Sequence, residues 1–223
     1  TDWSLGGNGE RLTYVYDRRK VDFENIAGEL VLPTDLLISQ VEFETEEGDD
    51  RIAGRQFRRT PFFTRFQSGW LDFDLCTVHI YYGADYGDKL DQRVEEIERV
   101  AEYMSERADE SLEQGRGTIL LGDFNIKHPD HETMEALTSN GFVVPDPLDE
   151  PTNVDQDKYY DQIAFKASDE VIEYLEDGGG GTTNAGVLEV MDRVFTPADF
   201  EQYAEEVEKA SAADDLDSEE LEE

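Results

Sequence analysis

The first third of the chain reads as short strands. RLTYVY (11–16) alternates apolar and polar residues, the polar DRRK (17–20) reads as a turn, and brief apolar runs follow around Leu30–Leu32 and Val41–Phe43. PFFTRF (61–66) and LDFDLCTVHIYY (71–82) are longer, and the Gln67–Trp70 connection between them, with Ser68-Gly69 at its centre, predicts a hairpin. At Lys89 the period changes. Leu90, Val94, Ile97, Val100, Ala101, Met104, Ala108 and Leu112 recur at helical spacing with charges between them, and Gly115 and Gly117 stop the pattern near Gln114. That predicts a one-sided surface helix. TILLGDF (118–124) then suits a central strand, followed by a helix near Glu132–Leu137 and a strand at Tyr160–Phe165. GGGG at 178–181 reads as a flexible loop, and TPADFEQYAEEVEKA begins a helix at Thr196 with Pro197 in its first turn. Strand pairs with interposed helices point to an α/β layered fold.

At 223 residues the chain suits one large domain, which we place at 1–200, with 201–223 as an acidic tail that runs from helix to disorder after Ala210. Charge changes the picture most. Asp and Glu number 55 against 19 Lys and Arg, a net charge of −36, and removing the tail still leaves about −26. A shell this acidic repels itself in dilute buffer and is tolerable when salt screens it, the Debye length falling to ~3 Å at 1 M. We read it as adaptation to a salt-rich cytoplasm. The single Cys76, inside LCTVHI, excludes a disulfide framework and reads as a small core residue. No apolar run approaches the ~20 residues of a membrane span, and the opening TDWSLGGNGE is neither a signal peptide nor a translation start, which suggests a fragment.

The chemistry concentrates where TILL runs into Gly122, Asp123, Phe124 and Asn125. A strand end fixes the backbone while letting side chains emerge, and residues at i and i+2 point to one side. A carboxylate with a carboxamide there can hold a divalent cation, or orient a water and a phosphoryl oxygen together; alone, the same four residues also make an ordinary turn. RIAGRQFRRTPFFTRF (51–66) carries five Arg and no acid in a chain that is about a quarter Asp and Glu. Guanidinium forks suit bidentate phosphate contacts. His128 and His131 invite a zinc reading, but with no Cys nearby and Pro129 between them they read better as a polar loop capping the next helix.

GDFN at 122–125, ERLTYVYDRRKV at 10–21, TRF…CTVHIYYG at 64–83 and PTNVDQDKYYDQIAF at 151–165 together resemble the endonuclease/exonuclease/phosphatase superfamily, the deoxyribonuclease-I-like fold, over roughly residues 10–165. The order and spacing of all four blocks carry the resemblance. It implies a four-layer α-β-β-α sandwich of two mainly antiparallel sheets, here lacking the first strands and the last, and metal-dependent cleavage of a phosphate ester. By the same resemblance His79 donates to the scissile phosphate, and Glu10 is the carboxylate that orients it. Asp123 orients or activates the attacking water and touches the metal, Asn125 donates to a phosphate oxygen, and Arg59 contacts phosphate. Asp161 matches the acid that partners a second, C-terminal histidine. Mg²⁺ or Mn²⁺ is the implied cofactor, with Asp123 and Asn125 among its ligands. The chain departs from the pattern at both ends: the family's metal-binding Glu and its Ser-Asp-His motif are absent from the sequence as given.

The resemblance therefore implies a hydrolase, most readily a nuclease or phosphodiesterase acting on DNA, RNA or a small phosphoester, whose fragment 1–223 is inactive alone. The alternative is a catalytically inactive phosphate- or nucleic-acid-binding domain of the same fold. A monomer in the cytoplasm is expected. The salt reading yields the first prediction: the melting temperature rises by many degrees between 0.1 M and 2 M KCl in differential scanning calorimetry, as screening relieves self-repulsion. A melting temperature that stays flat over that range removes the halophilic reading.

Overall fold

The structure, a computed structural model, describes residues 12–44, 50–168, 186–188, 203–204 and 209. The chain falls into two units, Thr1–Gly186 and Val187–Glu223; of the second, residues 203, 204 and 209 are helical. The GGGG segment, Thr196, the boundary expected at residue 200 and the tail after Ala210 lie outside the described residues.

In the first unit the order is β1 (Asp22–Glu29), β2 (Ile38–Glu44), β3 (Asp50–Arg55), β4 (Phe62–Ser68), β5 (Leu71–His79), α1 (Asp88–Leu112), β6 (Gly117–Ile126), α2 (Glu132–Thr138) and β7 (Tyr159–Lys166). Five strands form one mixed sheet, β1-β4-β5-β6-β7, and β2 pairs with β3 separately. The pair β5–β6 is parallel, which the intervening α1 makes possible; every other pair is antiparallel. The fold class is thus α/β as the residue pattern indicates.

RLTYVY is corrected: residues 12–16 form no strand, and the first strand among the described residues is β1. The alternating side chains attach this segment to the sheet instead of its backbone. The Tyr14 hydroxyl meets Thr77 Oγ1 at 2.7 Å and donates to the Phe62 carbonyl at 3.1 Å, while the rings of Tyr14 and Tyr16 pack edge-on against Phe66. The DRRK turn forms as expected, closed by Lys20 N–H to the Asp17 carbonyl and by Arg19 N–H to the Asp17 carboxylate. Leu30–Leu32 is likewise no strand, yet the Gln56 amide imitates one by exchanging two 2.8 Å bonds with the Leu32 backbone.

The hairpin closes between Ser68 and Leu71, leaving Gly69, at φ 61°, and exposed Trp70 as its two-residue loop. Strand β5 stops at His79, three residues earlier than the pattern suggests. Gly83 explains the stop. At φ +68° it turns the chain toward α1, where a Cβ would sit 2.7 Å from the Tyr81 ring and 2.9 Å from the Lys89 carbonyl.

The core lies between the helices and the sheet. Ile97, Val100, Ala101 and Met104 of α1 and Met134, Ala136 and Leu137 of α2 pack with Cys76, Val78, Leu120, Phe124 and Ala164 of the strands. Burying each large apolar side chain contributes about 1.5–3 kcal/mol. Cys76 is a buried free thiol, as its sequence context indicates. Helix α1 buries more than the apolar stripe: Arg93, Glu96 and Ser111 are buried on it too, whereas Val94 is only half-covered. Ser111 donates at 2.7 Å to Asp74, whose carboxylate also takes two bonds from Arg65 at 2.6 and 3.1 Å. The end of α1 is thereby tied to the hairpin.

Gly122 sets the exit of β6. Opposite Val78 in the parallel pair and at φ +133°, it leaves no room for a side chain, since a Cβ would stand 2.1 Å from the Val78 carbonyl oxygen. Gly122→Ala should therefore destabilise by roughly 2 kcal/mol or more in urea denaturation, combining backbone strain with a clash against backbone. An unchanged midpoint would show that β5 and β6 can separate at this point without cost.

Candidate active site

Three of the sequence-selected side chains fall in one row. His79 ends β5 opposite Asp123 of β6, and Asp123 is opposite Asp161 of β7. Because directly opposed residues share a sheet face, the three project together. His79 Nε2 lies 3.5 Å from Asp123 Oδ2, both side chains about one-third exposed. Burial raises the Asp123 pKa above the ordinary carboxylate value; the Asn125 N–H opposes that shift, the neighbouring Asp161 charge adds to it, and His79 and Arg59 oppose it. Asp161 is exposed and its N–H donates to Thr152 Oγ1 at 3.0 Å. The loop before it is closed by Asn153, whose side-chain oxygen accepts from the N–H groups of Asp157 and Lys158. Thr152, which the sequence reading did not single out, thus places Asp161 in the row.

Asn125 is turned elsewhere. The pairing of β6 with β7 is irregular between Asp123 and Ile126, and Asn125 sits in the left-handed region at φ 54°, which asparagine tolerates. Its N–H donates to Asp123 Oδ1 at 2.9 Å, and its side-chain amide donates to the Ile80 carbonyl at 2.8 Å. The residue is 5% exposed. The i, i+2 rule does not carry through this kink, so Asp123 meets solvent while Asn125 anchors the strand end.

Arg59 reaches the same junction, Nη1 donating to the Ile80 carbonyl at 3.4 Å. Ile80 in turn donates its N–H to the Asp123 carbonyl at 2.8 Å. Of the other arginines in the basic stretch, Arg65 is held by Asp74 and Arg58 stacks 4.0 Å over the Tyr81 ring; the side chains of Arg51 and Arg55 lie outside the described residues. Glu10 also lies outside them.

The group that sequence reasoning missed is Arg93. Wholly buried, its guanidinium donates to the carbonyls of Tyr82, Asn125 and Ala84 at 2.8, 2.9 and 2.6 Å, sits 4.4 Å above the Tyr82 ring and lies 3.6 Å from Asp85. A signal for it existed: Arg93 falls three residues after Leu90 and four before Ile97, on the apolar stripe.

His131 caps α2, its Nδ1 accepting from the Thr133 N–H, and His128 accepts from the Asp130 N–H beside the Tyr159 ring. Among the described residues no group of three or more His, Cys, Asp or Glu side chains is placed to hold a metal ion. Asp123 and Asp161 are hard oxygen donors of the kind Mg²⁺ or Mn²⁺ takes, while Asn125 Nδ2 donates to the Ile80 carbonyl, a bond that does not use its side-chain oxygen.

No family model matches the chain. Over 131 residues it is 34% identical to a protein of Thioalkalivibrio named deoxyribonuclease, a match that spans 58% of this chain and 30% of that protein. Among solved structures it is similar to an endonuclease/exonuclease/phosphatase family protein of Bacteroides thetaiotaomicron, at 20% identity and TM-score 0.43 over 68% of this chain and 53% of that one. A mannosyl-6-phosphatase of the same organism matches at 19% and 0.41 over 68% and 55%, and the human Nocturnin catalytic domain at 10% and 0.38 over 66% and 49%. The chain spans under a third of the deoxyribonuclease and about half of each of these structures. One of these structures bears the name of the endonuclease/exonuclease/phosphatase family, the family that the sequence blocks of the chain resemble.

Proposed function

We propose that this chain is part of a hydrolase that cleaves phosphate esters, a nuclease or phosphodiesterase, with DNA the first substrate to test. The observation that supports the reading most is the row His79, Asp123, Asp161 at the strand ends, with Arg59 on the Ile80 carbonyl one residue beyond it. A phosphodiester presents negative oxygens and resists attack by water; cleavage needs a base for the water, donors for the oxygens and a fixed geometry. Asp123, its pKa raised by burial, is a stronger base than a solvated carboxylate and takes the proton of the attacking water. His79 donates to a phosphate oxygen, with Glu10 assigned to its other ring nitrogen. Arg59 contacts phosphate, Asp161 sustains the Asp123 shift, and Asn125 serves as the anchor of the strand end rather than as a group presented to substrate.

A bound divalent cation would neutralise phosphoryl charge, and its remaining ligands would have to come from outside the described residues. That incomplete donor set is what favours the second reading, an inactive phosphate- or nucleic-acid-binding domain. No helix among the described residues is long and apolar enough to cross a membrane. A monomer in a salt-rich cytoplasm remains part of the proposal.

The discriminating assay offers plasmid, oligonucleotide and bis-nitrophenyl phosphate to the longest product of the reading frame, with and without Mg²⁺ in molar KCl. Turnover on one of them supports the enzyme; phosphate or DNA binding without turnover supports the second reading. In an active protein His79→Ala should lower turnover by about 10²–10⁴-fold, the usual share of general acid–base catalysis, and Glu10→Gln by less.

Asp123 gives a prediction of opposite sign for activity and stability. Its folded pKa is raised, so the stability associated with the neutral form is fully present below the unfolded carboxylate value and is lost as pH rises through the folded one. At pH 7 the ionised group is a net cost to the fold. Asp123→Asn should therefore reduce turnover by about 10²-fold or more, while raising the melting temperature at pH 7 but not at pH 3. A lower melting temperature at pH 7 would contradict the burial-driven shift.

A further inference from the structure

Glu96 lies on the buried stripe of α1, and the chemistry above does not use it. It is 3% exposed, and its carboxylate accepts from two backbone N–H groups, that of Arg58 at 3.3 Å and that of Tyr81. The donors belong to separate segments. Arg58 stands ahead of β4 and immediately before Arg59. Tyr81 follows β5, two residues beyond His79 and directly after Ile80, whose carbonyl accepts from both Arg59 and Asn125. Beside the carboxylate is a cavity of about 30 Å³ lined by Ile38, Gln56, Arg58, Tyr81, Gln92 and Glu96, room for about one water.

Burial pushes the Glu96 pKa up to about 7, against the opposing pull of the Arg58 and Tyr81 N–H groups and of the Arg58 and Arg59 charges. Among the described residues, those two arginines are the charged groups that act on it. Since the folded value is raised, the ionised form costs stability: the contribution present below the ordinary glutamate value is lost as pH rises toward 7. A glutamine would fill the same volume without that cost. A carboxylate kept at such a position, bonded to the backbone of the two segments that carry Arg59 and His79, has the features of a group retained for function.

We infer that Glu96 is a positioning residue for the phosphate site: its ionised carboxylate clamps the Arg58 and Tyr81 N–H groups together and so holds Arg59 against the strand end that carries His79. This rests on the reading that Arg59 and His79 meet an anionic ligand. Protonation or substitution of Glu96 weakens the clamp without touching the ligand.

The test uses the 223-residue chain and sulfate, a tetrahedral dianion whose charge is constant between pH 5.5 and 8.5. In ¹H–¹⁵N spectra the Arg58 and Tyr81 amides should titrate together with a midpoint near 7, and Glu96→Gln should abolish that step. Sulfate affinity, read from the Arg59 side-chain signal, should be about threefold or more higher in the wild type than in Glu96→Gln at pH 8, a factor expected of one hydrogen bond, and the two should converge at pH 5.5. The comparison is made between the two proteins at each pH, so an effect of pH common to both cancels. Glu96→Asp should recover part of the difference. The variant should also melt higher than the wild type at pH 8, which separates positioning from a structural role. Equal affinities at pH 8, or amides that titrate alike in both proteins, overturn the inference. Absence of sulfate binding in both proteins at every pH overturns it together with the phosphate-site reading on which it rests.

Discussion

The strand ends that carry the candidate chemistry depend on the buried guanidinium of Arg93. A charge taken fully out of water costs several kcal/mol unless its donors are satisfied, and here three backbone carbonyls, the Tyr82 ring and Asp85 satisfy it. Two of those carbonyls, of Tyr82 and Ala84, lie in the turn after β5, and the third is that of Asn125 at the end of β6. A planar fork has fixed donor directions, so it specifies where those backbone segments sit relative to one another. A lysine could neutralise the same charges but would not impose the same geometry. Asn125 keeps its left-handed conformation because its carbonyl meets Arg93, its N–H meets Asp123 and its side chain meets Ile80.

Arginine is scarce relative to acid in this chain, and much of it is committed to holding structure. Arg93 joins helix to strand ends, Arg65 joins β4 to Asp74 and so to Ser111 of α1, and Arg58 stacks on Tyr81. The Arg93 and Arg65 contacts are wholly or partly buried, where a charge pair is less screened by salt than it would be on the surface. A highly acidic exterior that needs screening is thereby compatible with an interior whose ion pairs survive it. The basic stretch at 51–66 looks in sequence like one patch. In the fold, its described members divide by function: Arg65 secures the hairpin, while Arg59 reaches the carbonyl at the strand end.

Much of the fold was legible because its signals are local. The hairpin announced itself by Ser68-Gly69, α1 by its stripe and its glycine stop, and β6 by the apolar run into Gly122. RLTYVY misled for a physical reason: period-two alternation reports that every second side chain is covered, and Tyr14 is covered by Phe62 and Phe66 without its backbone entering the ladder. Arg93 and Glu96 were passed over because a charge on a helix is ordinarily solvated. Only the three-dimensional position of backbone carbonyls and N–H groups reveals that partners wait for them. For the site, sequence blocks placed His79, Asp123 and Asp161 in separate segments, and pairing across β5, β6 and β7 brought them into one row. Asn125 departed from the i, i+2 expectation because a kink at positive φ ends the strand's alternation between Asp123 and Ile126.

The junction of these interactions is a backbone unit, not a side chain. Ile80 donates its N–H to the Asp123 carbonyl and offers its own carbonyl to Asn125 and Arg59, while its aliphatic side chain is fully buried in the core. The core therefore fixes the peptide groups, the peptide groups fix the ends of the polar side chains, and His79 follows as the residue immediately before. Such a site has little freedom to adjust, which is the condition under which donors aimed at developing charge need no reorganisation. The same packing explains why the Asp123 and Glu96 carboxyls carry raised pKa values: burial strips water from them, and the backbone N–H groups that reach them offset that loss only in part, so the neutral forms gain. Geometry and basicity at this strand end thus have one origin, the exclusion of water by the packing of Ile80 and its neighbours.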